Sequence, residues 1–123
     1  MVDLSQHINR FSVYQMRELE AVQKDGFDCS EMLDPNLTPL QMYYLGLCIR
    51  EGGNMSLRRS IIEKDLSGNQ MMFIFFSYRA LMKNLISYDR YSRVVDAIKL
   101  KTDYKDLVAI VDSYDVPFRS EDL

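Results

Sequence analysis

The side chains best suited to chemistry are few in this chain: two cysteines, Cys29 and Cys48, and one histidine, His7. A structural zinc site needs three or four Cys, His or carboxylate ligands at defined spacing, and these residues do not supply it. A Ser-His-Asp or Cys-His arrangement would have to recruit His7, and no strained nucleophile turn accompanies it. Gly52-Gly53 lacks the spacing of a phosphate loop and the Lys-Ser/Thr that follows one. The acidic stretch from Asp25 to Asp34 does not place ligands at the alternate positions of a calcium loop. Cys48 lies in an apolar helical run, where a free thiol behaves as a small hydrophobe, and Cys29 lies in a polar loop. The N-terminal MVDLSQHINRF has no apolar signal-peptide core, which predicts a cytoplasmic protein and reduced thiols rather than a disulfide. No catalytic residue, metal site or cofactor is expected, and the chain does not read as an enzyme.

The signal that organises the sequence is a repeat of helix starts. Phe11-Ser12-Val13-Tyr14-Gln15-Met16, Leu37-Thr38-Pro39-Leu40-Gln41-Met42 and Leu66-Ser67-Gly68-Asn69-Gln70-Met71 share one pattern at spacings of 26 and 29 residues. Four backbone N–H groups at a helix start lack intrahelical partners. Ser or Thr at the cap accepts from the third helical amide, and Gln there reaches back to the cap amide. The apolar residue ahead of each cap then staples onto the following Met, and Pro39 suits the first helical position. Ser12, Gln15, Thr38, Gln41, Ser67 and Gln70 are therefore assigned as structural caps of helices beginning near residues 13, 39 and 68. Gly26 and Gly52-Gly53 mark the first two stops.

The rest of the chain continues the helical reading. Leu57 to Lys64 is expected as a short helix capped by Ser56, with Ile61 and Ile62 inward. Met71 to Phe76 is apolar all round, and periodicity alone leaves a buried strand open there. Its capping box and the downstream Tyr78, Leu81, Met82, Leu85 and Ile86 favour a central helix. Tyr88 to about Leu100 and Asp103 to Ser113 complete the series, stopped by Pro117. At 123 residues with 47% apolar content and net charge −3, the chain has the size of one domain and is not disordered. No run approaches the ~20 apolar residues of a membrane span. The expected fold is all-α: a compact bundle of five or six helices with two to three helical repeat units. One domain over 1–116 is expected, with a repeat-like part at 11–67, central and C-terminal helices at 68–116, and an acidic tail at 117–123.

Residues 15–56 resemble helical repeats of Firmicute phage, plasmid and conjugative-element proteins. The matching positions are Gln15-Met16, Gly26-Phe27-Asp28-Cys29-Ser30, Asp34-Pro35, Leu37-Thr38 and Gln41-Met42. The next unit departs, with Asn54-Met55 at the Asp-x step and a three-residue insertion before Leu66. The resemblance implies a helical repeat in a mobile-element context and carries no activity or catalytic residues with it.

Charge is segregated along the chain: residues 1–57 hold 4 basic and 8 acidic side chains, residues 58–105 hold 10 and 5, and residues 106–123 hold 1 and 5. Arg58, Arg59, Arg90, Arg93, Lys99 and Lys101 form a candidate basic patch, with Tyr88 and Tyr91 interleaved as stacking groups. The plainer reading is a set of solvated helix faces paired internally with Asp and Glu. A pI near 5.1 argues against nucleic acid as the first-choice partner. Adjacent Tyr43 and Tyr44 cannot both face one core, and an exposed tyrosine beside an arginine such as Arg50 has hot-spot composition. The functional expectation is a non-enzymatic protein-binding module, monomeric or homodimeric, from a phage or mobile element. Its partner would be a bacterial protein such as a defence effector, which it inhibits in the manner of an anti-CRISPR protein. A small nucleic-acid-associated regulator using residues 58–105 is the alternative.

Overall fold

The recurring Ser/Thr-x-x-Gln signature opens three of the six α-helices found among residues 1–63 and 65–118, which the computed structural model describes. The fold is all-α, with the order α1 (Val13–Lys24), α2 (Pro39–Glu51), α3 (Met55–Arg59), α4 (Gly68–Met82), α5 (Tyr88–Ile98) and α6 (Tyr104–Ser113). Short 3-10 turns at Leu4–His7 and Ser30–Met32 precede α1 and α2. At α1, α2 and α4 the cap hydroxyl accepts from the glutamine amide at 3.1 Å in each case. Each glutamine Oε1 accepts from the cap N–H in return, at 2.8, 2.9 and 2.8 Å. Ser87 and Asp103 cap α5 and α6 through the amides of Arg90 and Lys105.

Helix ends are as regular as helix starts. Gly26, Asn84 and Asp115 take positive φ of 90°, 59° and 56°, just past α1, α4 and α6. In each case the next amide (Phe27, Leu85 or Val116) donates back to the carbonyl of Val22, Ala80 or Val111, closing a Schellman motif. The left-handed turn at Asn84 stops α4 at Met82, so Leu85 and Ile86 lie beyond the helix rather than on it. Leu85 is exposed there and Ile86 is buried.

The chain gathers into two compact units, residues 1–60 and residues 61 onward. In the first, α1 packs on α2, and α3 and the second 3-10 turn pack on α2 as well. Its core is Leu19, Val22, Cys29, Met32, Met42, Leu45 and Cys48. Gly46 makes the close approach of α2 and α1 feasible, because a Cβ there would lie 2.8 Å from Val22 Cγ2. In the second unit α4 packs on both α5 and α6, and those two touch each other. Phe73, Ile74, Tyr78, Val94, Ile98, Leu107 and Val111 fill that core. The all-round apolar run of α4 is thus explained by two helices covering it within its own unit.

Two further boundaries differ from expectation. The helix expected over 57–64 under Ser56 is α3 at Met55–Arg59, because Asn54, an equally good cap two residues earlier, accepts from Leu57 N at 2.7 Å. Ile61 and Ile62 are buried as expected, outside the helix, and Lys64 lies outside the described residues. Phe118, expected in a loose tail, instead lies against Phe73 and Phe76 with ring centroids 5.8 and 6.1 Å apart. The remainder of that tail, 119–123, lies outside the described residues.

Candidate functional site

The basic residues singled out from sequence divide between the units, Arg50, Arg58 and Arg59 in the first and Arg90, Arg93, Lys99 and Lys101 in the second. Most already hold a carboxylate of their own unit. Arg50 Nε meets Asp25 at 2.8 Å, Arg59 reaches Asp34 at 3.8 Å, Arg93 pairs with Asp89 one turn earlier at 3.1 Å, and Lys99 pairs with Glu63 at 2.5 Å. Arg58 is the most committed. Its guanidinium forks onto both carboxylate oxygens of Glu31 and donates to the carbonyls of Gly52 and Gly53. With side-chain exposures of 14% and 8%, the Arg58–Glu31 pair fastens α3 and the Gly-Gly turn to the second 3-10 turn. Arg90 and Lys101 are exposed and hold no ion pair among the described residues.

The tyrosines separate by face. Tyr88 is exposed with its ring centroid 6.2 Å from that of Tyr91, but Tyr91 turns into the core beside Tyr78 at 6.4 Å, so of the two expected stacking groups only Tyr88 is open to a ligand. Residue 91 falls on the same stripe as Val94, Val95 and Ile98, and that stripe is the buried one.

On α2 the reasoning from adjacent tyrosines leads to a second apolar stripe. The buried positions are Gln41, Met42, Leu45, Gly46, Cys48 and Ile49. Leu40, Tyr43, Tyr44 and Leu47 recur at i, i+3, i+4 and i+7 on another side of the helix. Tyr43 is 44% exposed, Leu40 is also exposed, and Tyr44 and Leu47 are half-buried. Tyr43 sits edge-on to Tyr44 with centroids 5.1 Å apart. Burial, then the neighbouring Tyr43, pushes the Tyr44 hydroxyl above its ordinary range, so it stays neutral. The stripe offers aromatic area with hydroxyl handles and no charge of its own.

The groups with most chemical potential are placed for packing. Cys29 and Cys48 are free and buried, and desolvation pushes both thiols up, Cys48 well above its ordinary range. His7 Nδ1 accepts from Arg10 Nη1 at 3.1 Å. Among the described residues no group of three or more His, Cys, Asp and Glu is arranged to hold a metal ion, and no helix is long and apolar enough to cross a membrane.

A groove without a sequence motif adjoins α1. Ile8, Phe11, Val13, Met16, Arg17 and Glu20 line a groove of about 320 Å³ against the start of α1. Its sequence signal is Val13, an apolar residue off the Met16-Leu19-Val22 stripe, which helical phasing alone marks as outward. Comparison with protein-family models, with curated proteins and with solved structures returns no match.

Proposed function

We propose that the chain is a non-enzymatic protein-binding module that engages a bacterial protein through the outer stripe of α2. The observation that carries this reading is an exposed Leu40–Tyr43 stripe beside a set of candidate basic residues of which Arg50, Arg58, Arg59, Arg93 and Lys99 already hold carboxylates of the chain. Tyrosine and leucine at helical spacing supply contact area at low entropic cost, whereas arginines already held by carboxylates bring little new attraction. The narrower form, inhibition of a nucleic-acid-handling defence enzyme in the anti-CRISPR manner, rests on the mobile-element resemblance of residues 15–56 and on the net charge of −3. An acidic module suits a groove built for nucleic acid.

The test compares wild type with Leu40→Asp/Tyr43→Asp in affinity purification from a bacterial host extract, with thermal melts confirming that both proteins fold. Recovery of one stoichiometric partner by wild type and its loss from the variant supports the reading. Equal recovery by both proteins, or recovery of nothing, overturns it.

The nucleic-acid alternative is favoured by one observation, the exposed Arg90, Lys101 and Lys105 of the second unit, which hold no ion pair among the described residues. It predicts affinity for an oligonucleotide that falls steeply with added salt.

A further inference from the structure

The outer stripe of α2 continues past Leu47. Leu40, Tyr44, Leu47 and Glu51 recur at i, i+4, i+7 and i+11, so the apolar row ends on a carboxylate. From Leu40 to Glu51 the row runs about 16 Å along the helix. Glu51 is half-buried and holds no ion pair or hydrogen bond among the described residues. As the last residue of α2 it also sits at the negative end of the helix dipole, where a carboxylate is least favoured.

The cations at this end of α2 are committed elsewhere. Arg50 is held by Asp25 at 2.8 Å, and Arg58 forks onto Glu31 and donates to the carbonyls of Gly52 and Gly53. Arg50 lies about two turns beyond Tyr43 on one side of α2, and there α1 brings up Glu18 as a further acid. Burial, opposed by the Arg50 charge, raises the Glu18 carboxyl, which is half-buried and likewise holds no ion pair among the described residues. Arg17 and Lys24 lie about 100–120° around α1 from Glu18 and so belong to another side of that helix. Outside the Arg58–Glu31 clasp, the stripe is thus bordered by one guanidinium, Arg50, and three carboxylates, Asp25, Glu18 and Glu51.

We propose that the α2 stripe receives a basic amphipathic helix of the partner, its apolar face along Leu40, Tyr43, Tyr44 and Leu47 and a lysine or arginine at one end meeting Glu51. The inference rests on the reading of α2 as the docking face and adds the chemistry of what docks there. A helix is the matching element because an apolar row at the helical period interdigitates with another such row. A cation placed at Glu51 gains from the carboxylate and from the end of the helix dipole together. A second copy of this stripe offers Glu51 no such cation, because the row carries none.

The test is fluorescence anisotropy on the full chain with three labelled helical peptides of about four turns each. The first carries Leu along one face and Lys along both borders of that face. The second replaces Lys by Glu, and the third keeps the composition of the first but scatters Leu around the helix. Wild type should bind the first at least about tenfold more tightly than either of the others. Glu51→Gln should weaken the first peptide about fivefold, and Glu51→Lys should make the second peptide the tighter binder. Lys is favourable in a last helical turn, so the fold is retained. Leu40→Asp/Tyr43→Asp should abolish binding of the first peptide although it makes the chain more acidic, whereas attraction by net charge alone would grow. Equal binding of the first and second peptides by wild type, with both lost in Leu40→Asp/Tyr43→Asp, overturns the basic occupant and leaves α2 as the docking face. Failure of the first peptide to saturate, indifference to both Glu51 substitutions, tighter binding by the double variant, or self-association of wild type that the double variant abolishes would each overturn the inference as well. Affinity purification reads the docking face itself, so a partner recovered there stands whichever peptide result is found.

Discussion

Arg58 and Arg59 are adjacent in sequence, identical in type, and opposite in consequence. Arg58 is enclosed with Glu31 and satisfies two glycine carbonyls, whereas Arg59 reaches Asp34 across 3.8 Å with both side chains well exposed. Removing one partner of an enclosed pair strands the other charge, at a cost of about 3–5 kcal/mol. Removing one partner of an exposed pair costs about 0–1 kcal/mol. Arg58→Ala should therefore lower the urea midpoint sharply and Arg59→Ala barely move it. Equal shifts would mean that the Glu31 fork contributes no more than a surface pair. Sequence alone makes both residues candidate partner contacts, because it reports that an arginine is present without reporting which acid holds it. Glu31 precedes Arg58 by 27 residues, and no local pattern links them.

The helix starts show a different degree of legibility. All three boxes lie within six-residue windows, so the residues that form them could be named from sequence. What lies outside the window is the second hydrogen bond of the capping glutamine. Gln15 Nε2 donates to the carbonyls of Pro35 and Leu37, immediately ahead of the next cap. Gln70 Nε2 donates to Ile98 O at 3.1 Å, at the end of α5. The box thus serves as a tie between elements as well as a cap. Gln70→Glu keeps an oxygen for the Ser67 amide but turns the donor facing Ile98 O into an acceptor in a buried site. The loss should reach about 2 kcal/mol or more, with a charged group left unsatisfied. Gln15→Glu, at a more exposed box, should cost about 1 kcal/mol. Denaturant titration of the two variants checks the order; if Gln15→Glu proves the more harmful, the buried tie to α5 is not the determining contact. Two helices depart from their expected bounds: α4 ends at Met82, before Leu85 and Ile86, and α3, the shortest, is capped at Asn54 rather than Ser56 because two caps compete there.

For the molecule taken whole, the decisive quantity is how much charge remains available. The chain carries 15 basic and 18 acidic side chains, and the basic residues that suggested a phosphate-binding face are for the most part paired. Counterion release scales with the number of phosphates a protein neutralises, and of that candidate face only Arg90 and Lys101 hold no ion pair among the described residues. Single- and double-stranded oligonucleotides should show no saturable binding at physiological salt in fluorescence anisotropy. Binding with a steep salt slope would shift the assignment to the alternative carried by Arg90, Lys101 and Lys105. The partition into two units has a similar lesson. The 58–105 segment, one basic block by counting, straddles the division at residues 60 and 61 and so belongs to both units.

Short-range chemistry accounts for what could be read directly from the order of residues: the all-α class, the three boxed helix starts, the glycine stop after α1, and the inward stripe of α5. Each depends on backbone valences and side chains within one or two turns, and those are settled before any element meets another. Packing alone shows that Arg58 is a clasp on Glu31 and that Phe118 joins an aromatic cluster. Those outcomes hinge on which side chains arrive from distant positions to desolvate or neutralise a group. Pair energies of that kind exist only once the chain has closed on itself.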